Sequence, residues 1–396
     1  MSLEWLEVRN FRNFEHVVME LDPGINLVSG KNGSGKTSLL ESCYFLSTAR
    51  SFRESGLASL IQRNEESCLL RGRVLGERGR HHLGINKLRN GERQIRIDSE
   101  PVKRASDLAR LLPTLVLGPQ SMELLVGPPS LRRRFLNWGL FHVKPSCAFA
   151  GLGVTRVKQE EIASGFFAEW ESANRCLRQR NQLLRESQRS GILRGKELRS
   201  WSERLVVHSN RIDELRRNYI ELFEPKFTSI AGEFMSPNGA RLDYYRGWGS
   251  EEDLLEIYDK DLSLDVKRGF TQRGFQRADV RITLFGQPAA KVCSRGELKS
   301  LVWAMILAQG SLMTGSLAQE KNFEKEPREG KILYLVDDLA SEFDEEHRRR
   351  VMGFLSAAGQ QTIITGTDRQ LLLSASQQSC GRLFHVEHGE VKVQEY

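Results

Sequence analysis

An α/β fold built on a parallel sheet, with an antiparallel β subdomain beside it and a mostly helical module inserted, is what three features of this 396-residue sequence predict. A glycine-rich octapeptide follows a short apolar run and opens a helical one. A second apolar run, near the far end of the chain, closes on paired aspartates. Between them lies a long stretch whose apolar residues recur at helical spacing, preceded by short segments that alternate like strands.

Residues 3–11 alternate, with Leu3 and Trp5 on the apolar side, and residues 16–21 read as a second strand. Asp22-Pro23-Gly24 is a turn that delivers the chain into residues 24–29, a short buried strand. Gly30-Lys31-Asn32-Gly33-Ser34-Gly35-Lys36-Thr37 then matches the phosphate loop G-x-x-x-x-G-K-[ST] at every fixed position, and residues 38–46 continue as a helix. Strand, glycine loop and helix form the context this motif needs. The glycines let backbone N–H groups turn inward around phosphate oxygens, and the helix N-terminus adds partial positive charge. Lys36 is placed to reach the β- and γ-phosphates, and Thr37 to offer a hydroxyl to Mg²⁺. Arg12 comes early enough to pack near a bound nucleotide; a surface salt bridge would account for it equally well.

After the first helix come short β-like runs at 67–75, 80–87 and 92–97, joined by glycine-containing turns at 76–79 and 89–91. They are too closely spaced for parallel crossovers, so an antiparallel sheet beside the core is expected. Residues 113–118 form another buried strand, followed by Pro119-Gln120. Gly127-Pro128-Pro129 opens a helix carrying Arg132, Arg133 and Arg134, of which at most two could face one ligand. They read either as phosphate contacts or as a solvated face.

Residues 170–234 turn helical. Trp201, Leu205, His208, Ile212, Leu215, Tyr219 and Leu222 follow alternating spacings of four and three, the seam of a helix packed on a partner. Residues 169–187 supply an antiparallel partner joined through Ser190-Gly191 and Gly195, and a helix over 251–266 completes the module. In 145–167 only a short helix near 159–163 is expected.

The chain returns to the core with a strand at 280–284. Cys293-Ser294-Arg295-Gly296-Glu297 then leads into an apolar helix over 301–312, and the charged segment 315–330 reads as a flexible loop. Residues 331–338 form an apolar strand that ends in Asp337-Asp338. A buried parallel strand closing on a carboxylate can hold Mg²⁺ opposite a phosphate loop. Asp337 is the metal-side residue, and Asp338 would orient and polarise the attacking water. Residues 362–367 make the next strand, and 383–387 with 390–394 a closing hairpin.

Composition bounds the partners. Lys and Arg number 58 against 51 Asp and Glu, a formal net charge of +7 that admits a polyanionic partner without demanding one. The six cysteines are scattered with no C-x-x-C pair, which fits a reducing cytosol better than disulfides or zinc. No signal peptide and no bilayer-length apolar run is evident, so a cytoplasmic protein with no membrane partner is expected.

The order of these motifs (phosphate loop, glutamine after a strand, S-R-G-E before a helix, D-D, then S-E-F-D) resembles the head of ABC-type ATPases in the SMC and Rad50 branch. Within that branch the chain is most similar to the RecF family of bacterial replication and repair proteins. Residues 8–14 (V-R-N-F-R-N-F), 127–138 with R-R-R-F-L, 274–279, 294–298 and 337–344 carry the likeness, which covers nearly the whole chain. It implies an ABC-type P-loop ATPase head: 1–127 and 270–396 as lobe I, and 128–269 as a helical lobe II. It implies ATP and Mg²⁺ as cofactors. Lys36 and Thr37 become Walker A residues, Gln120 the Q-loop glutamine acting in catalysis and at the metal, and Asp337 and Asp338 the Walker B pair. Ser294, Arg295, Gly296 and Glu297 become the signature that meets the γ-phosphate held by a second subunit. Asp344 falls in the D-loop and Thr367 near the switch position. The implied function is an ATP-gated homodimeric clamp on double-stranded DNA at gaps or single/double-strand junctions, a weak DNA-dependent ATPase that assists RecA loading with RecO and RecR. A transport-type ABC subunit and a nucleotide-binding scaffold without turnover are the alternatives. Phe275 stands where the family pattern expects proline, and Asn137 where it expects aspartate.

Overall fold

The alternation at the start of the chain produces β1 (Ser2–Phe11), which pairs antiparallel with β2 (Phe14–Glu20). The turn after β2 leads into β3 (Ile25–Ser29), buried at every position. The glycine turns that follow the first helix connect β4 (Ser67–Gly76), β5 (Gly79–Leu88) and β6 (Arg93–Ile97), and an Asp98-Ser99 turn adds β7 (Glu100–Val102). Together with the first hairpin they make an antiparallel sheet in the order β2-β1-β4-β5-β6-β7. In this computed structural model the described residues are 1–53, 57–76, 79–142, 156–235, 239–314, 332–375 and 380–394.

A second sheet is parallel at its centre. Its order is β15-β14-β3-β13-β12-β8, built from β3, β8 (Thr114–Leu117), β12 (Leu333–Val336), β13 (Gln361–Gly366), β14 (Cys380–Glu387) and β15 (Glu390–Gln394). Only the β14–β15 hairpin is antiparallel. β12 and β13 are buried at every position, as strands covered on both faces are; β12 is a continuous apolar run, whereas β13 buries Gln361, Thr362 and Thr365 beside Ile363 and Ile364. The helix Lys36–Thr48 contacts strands of both sheets. Its Leu39, Leu40, Phe45 and Leu46 share one core with Leu6 and Val8, Leu70 and Val74, Leu83 and Ile85, and Leu335 and Ile363. Each such side chain contributes on the order of 1.5–3 kcal/mol by leaving water. The helix that carries the phosphate loop is therefore anchored on two sides.

The chain divides into two compact units, Met1–Met122 with Trp303–Tyr396, and Glu123–Val302. Residues 270–302, expected with the head, fall in the second unit. The reason is strand pairing: β10 (Asp279–Leu284) is hydrogen-bonded antiparallel to β9 (Ala240–Tyr245), with β11 (Gln287–Pro288) on its other edge.

The second unit is built around two long helices, Arg156–Ser190 and Gly195–Phe234. Leu205, Ile212, Leu215, Tyr219 and Leu222 are buried along the expected seam. His208 in that seam is a hydrogen-bond partner, its Nδ1 lying 2.6 Å from Glu169 Oε2. Several expectations change here. The short helix near 159–163 is part of the 35-residue helix Arg156–Ser190. The single helix over 251–266 is two, Leu254–Lys260 and Leu262–Arg268, broken at Asp261. Most consequential is Arg132, whose guanidinium donates to Asp279 at 2.7 and 3.1 Å and to the Gly127 carbonyl at 2.9 Å, with both partners buried. It is a structural ion pair rather than a phosphate contact. Arg133 is half-buried and donates to the Ala278 carbonyl; Arg134 is exposed. Asn137 accepts from Arg216, and Phe275 is buried in a short 3₁₀ turn. Residues 143–155 and the expected loop at 315–330 lie outside the described residues.

Candidate nucleotide site

β3 ends at Ser29 in the middle of the parallel sheet, between β13 and β14, and the phosphate loop leaves its carboxyl end. Ligands of open α/β sheets bind at that end of the strands. Gly35 is required twice over. Its φ is +119°, and a Cβ there would lie 2.5 Å from Asn13 Nδ2. As N-cap of the 13-residue helix it offers no side chain, so the first N–H groups of the helix are left for an anion.

Lys36 is buried and donates to the carbonyls of Gly30 (2.6 Å) and Lys31 (2.8 Å), an arrangement that curls the loop around its ammonium. Burial pushes its amine below the usual lysine range, while the charges of Asp338 and Asp337 oppose that shift. The lysine thus stands within electrostatic reach of both acids.

The two motifs are joined by one hydrogen bond. Thr37 Oγ1 donates to Asp337 Oδ1 at 3.0 Å, and Thr365 Oγ1 at the end of β13 donates to the same oxygen at 3.0 Å. Asp337 is fixed at the end of β12 by its own N–H, which donates to the Leu117 carbonyl of β8 at 2.8 Å. Burial holds its carboxyl above the ordinary aspartate range, against the two threonine hydrogen bonds and the Arg53 charge. Asp338 follows in the left-handed region at φ +54°. Its N–H donates to Thr365 Oγ1 at 2.9 Å, its Oδ2 accepts from Ser341 at 2.6 Å, and its Oδ1 is buried with no partner. Gln120 follows β8, and its Oε1 is also buried without a partner. A Cβ on Gly118 would meet both Asp337 Cβ at 3.0 Å and Gln120 Oε1 at 3.7 Å, so the glutamine stands beside the acid.

These oxygens suit a hard divalent cation. Mg²⁺ takes one or two protein oxygens and completes its shell with phosphate and water. Among the described residues no group of three or more His, Cys, Asp or Glu could hold a metal by itself. Thr37 Oγ1 and Asp337 Oδ1, 3.0 Å apart, are oxygens of the type such a shell takes.

A cleft of about 670 Å³ opens over the loop. Asn32, Gly33, Gly35, Lys36, Thr37, Asp337 and Asp338 line one side. Arg12, Arg53, Ser59, Ile61, Arg63 and Arg89 line the rest. Arg12 lines the cleft, and its guanidinium is bound at 2.8 Å to each oxygen of Glu41 on the loop's own helix; with Glu41 fully buried this is not the surface salt bridge the sequence allowed. No sequence motif marks the wall from Arg53 to Arg89. Backbone bonds from Arg12 N to Leu60 O and from Gln62 N to Asn10 O, both 2.8 Å, stitch that segment to the end of β1.

Ser294 lies in the other unit. It caps the helix Arg295–Thr314 in a reciprocal box: its N–H donates to Glu297 Oε2 at 2.7 Å and its Oγ accepts from the Glu297 N–H at 3.3 Å. Ser294, Arg295, Gly296 and Glu297 are all exposed. Asp344 is also a cap, accepting from the His347 N–H at 2.9 Å, and Thr367 is exposed just beyond β13.

The description RecF/RecN/SMC N terminal domain belongs to a family model that matches residues 2–392. The chain is 39% identical over 393 residues to the DNA replication and repair protein RecF of Pseudomonas entomophila (strain L48), covering 99% of this chain and 98% of that one. It is also 39% identical to RecF of Pseudomonas aeruginosa (strain UCBPP-PA14), covering 99% and 97%. Among solved structures, the recombination mediator protein RecF with ATP, in the RecFOR pathway, superposes with a TM-score of 0.80 at 24% identity, covering 99% of this chain and 97% of that one. An Smc head bound to the C-terminal winged-helix domain of ScpA gives 0.55 at 14% identity, covering 100% and 97%. These two structural likenesses bear on the fold.

Proposed function

The chain belongs to the RecF family of DNA replication and repair proteins, within the RecF/RecN/SMC N-terminal-domain group, and from that premise we propose that it is an ATP-gated, dimeric clamp on double-stranded DNA. The observation that carries the reading is the Thr37–Asp337 hydrogen bond, which closes the phosphate loop against the acidic strand at the mouth of a nucleotide-sized cleft. Lys36 exchanges its loop carbonyls for β- and γ-phosphate oxygens, and the helix N-terminus behind it accepts their charge. Thr37 and Asp337 would hold Mg²⁺, with Gln120 beside them. Mg²⁺, when bound, neutralises charge that develops on the phosphate oxygens. Asp338 has a carboxylate oxygen with no protein partner and takes the proton of the attacking water.

One chain holds the triphosphate; a second chain's Ser294, at an exposed helix N-terminus, reaches its γ end, so two ATP molecules are sandwiched in a twofold dimer. Hydrolysis is weak and DNA-dependent, and serves to open the clamp. Gapped duplexes and single/double-strand junctions are the substrate, with RecO and RecR as partners in loading RecA.

The test is whether ATP-dependent dimerisation and duplex binding occur together. Both should appear with Mg-ATP in the parent protein, and both should vanish in Lys36→Ala, whose circular dichroism should be unchanged. Duplex binding of equal strength without nucleotide would exclude the reading.

A further inference from the structure

The antiparallel sheet buries one face and leaves the other open. Leu6 and Val8, Leu70 and Val74, Leu83 and Ile85, and Ile95 point into the core, so their neighbours along each strand point out. The outward residues are Trp5, Glu7 and Arg9 on β1, Leu69, Arg71, Arg73 and Leu75 on β4, Arg80, His82, Gly84, Asn86 and Leu88 on β5, and Gln94 and Arg96 on β6.

Register places Arg71, Gly84 and Arg96 directly abreast on three adjacent strands. With strands about 4.8 Å apart, the two arginines stand on the order of 10 Å from each other with no side chain between them. Neither conformation nor packing explains a glycine at position 84. It is absent from the positive-φ residues, and a Cβ there would meet nothing within 4 Å. A strand-interior glycine with neither cause marks close approach of another backbone. The result is a short slot at Gly84, banked by Arg71 on one side and Arg96 on the other and closed along β5 by His82 and Asn86, with Leu69 the apolar member of the β4 bank.

The charge of this face is cationic. Glu7, nearly buried, holds Arg9 at 2.7 Å, His16 at 3.2 Å and Arg71 at 3.4 Å. Glu4 holds Arg73 at 3.2 Å and Arg80 at 2.9 Å. Two carboxylates thus orient four arginines without neutralising them, and Arg96 adds a fifth. Of the other acids, Glu20 pairs with Arg382 at 3.3 Å, Asp98 lies 2.7 Å from His81, and Glu100 on β7 is exposed.

We infer that this slot binds the sugar–phosphate backbone of a nucleic-acid duplex, one strand lying along β5 over Gly84 with its phosphates between Arg71 and Arg96. Arginine forks pair with phosphate in two-pronged fashion, and the floor lets the backbone sit close enough for both banks to reach it. The inference deepens the proposed function and rests on it: it replaces Arg132 as the source of phosphate contacts with a surface on the other unit.

The experiment titrates labelled duplex DNA with the full-length chain in Mg-ATP over a range of salt concentrations. Arg71→Ala with Arg96→Ala should flatten the log–log salt slope by about 1.8, two contacts at about 0.9 each. Gly84→Thr should keep or raise thermal stability, because threonine suits a strand better than glycine. It should nonetheless weaken duplex binding about tenfold, the cost of one charge-assisted hydrogen bond. ATP affinity should be unchanged in both variants. Parent-like curves for both would overturn the slot while leaving the function standing. A parent protein that fails to bind duplex in Mg-ATP would overturn both. Poly-glutamate competing as well as unlabelled duplex would reassign the face to an acidic protein segment and overturn the inference alone.

Discussion

Asp338 shows how much a single position can be asked to do. It leaves β12 with a left-handed backbone, which aspartate and asparagine tolerate better than most residues. That turn separates it from Asp337: one carboxylate lies under Thr37 and Thr365, the other keeps an oxygen unpartnered. Adjacent acids in a straight strand would point to opposite faces. Asp338→Asn keeps the shape and the conformation but cannot accept a proton. Turnover should fall on the order of 10²–10⁴-fold, with ATP binding kept and the ATP dimer accumulating. Single-turnover kinetics beside size-exclusion chromatography reads both; an unchanged rate would remove Asp338 from the chemistry.

At the scale of elements, two helix starts carry opposite lessons. On the helix Pro129–His142 three arginines stand in a row, a pattern that admits either phosphate contacts or a solvated face. Asp279, brought over by β10, takes the first of them into the interior. Removing one member of a buried pair strands the other, so Arg132→Ala should lower stability by about 3–5 kcal/mol. Urea unfolding measures it, and a loss below about 1 kcal/mol would mean the pair is not structural. The helix Arg295–Thr314 begins instead at an exposed capping box. Ser294→Arg should cost only about 1 kcal/mol as a lost cap and should leave ATP binding by the monomer intact. Dimerisation, hydrolysis and tight DNA binding should disappear, because the proposed composite site needs that hydroxyl at the partner's nucleotide. Parent-like dimerisation and turnover in that variant would contradict the composite site.

At the scale of the whole molecule, the described residues offer no helix that is long and apolar enough to cross a membrane. They do offer a cationic sheet face with no base-reading helix on it. Phosphate contacts position a protein without reading sequence, so duplexes of unrelated sequence but equal length should bind within a few-fold of one another. Competition titrations in Mg-ATP test this. A preference of about 10³ or more, the range of sequence-specific proteins, would mean that bases are read and that this account of the interface is incomplete.

What could be read without tertiary structure was whatever depends on neighbours along the chain. The phosphate loop between a strand and a helix, the apolar strand ending at Asp337, the hairpins of the antiparallel sheet and the seam from Trp201 to Leu222 are all local patterns. Each has its own period or its own glycines. What folding alone decided was whatever depends on distant segments meeting. Arg53, Ile61, Arg63 and Arg89 join the cleft because residues 60–62 pair with the end of β1. Residues 270–302 leave the head because β10 pairs with β9. Arg132 is buried because Asp279 arrives from nearly 150 positions away. The open slot at Gly84 exists only once β4, β5 and β6 lie in register. Periodicity reports which face of an element is apolar; only strand pairing and packing choose the partner that covers it, or leave it bare.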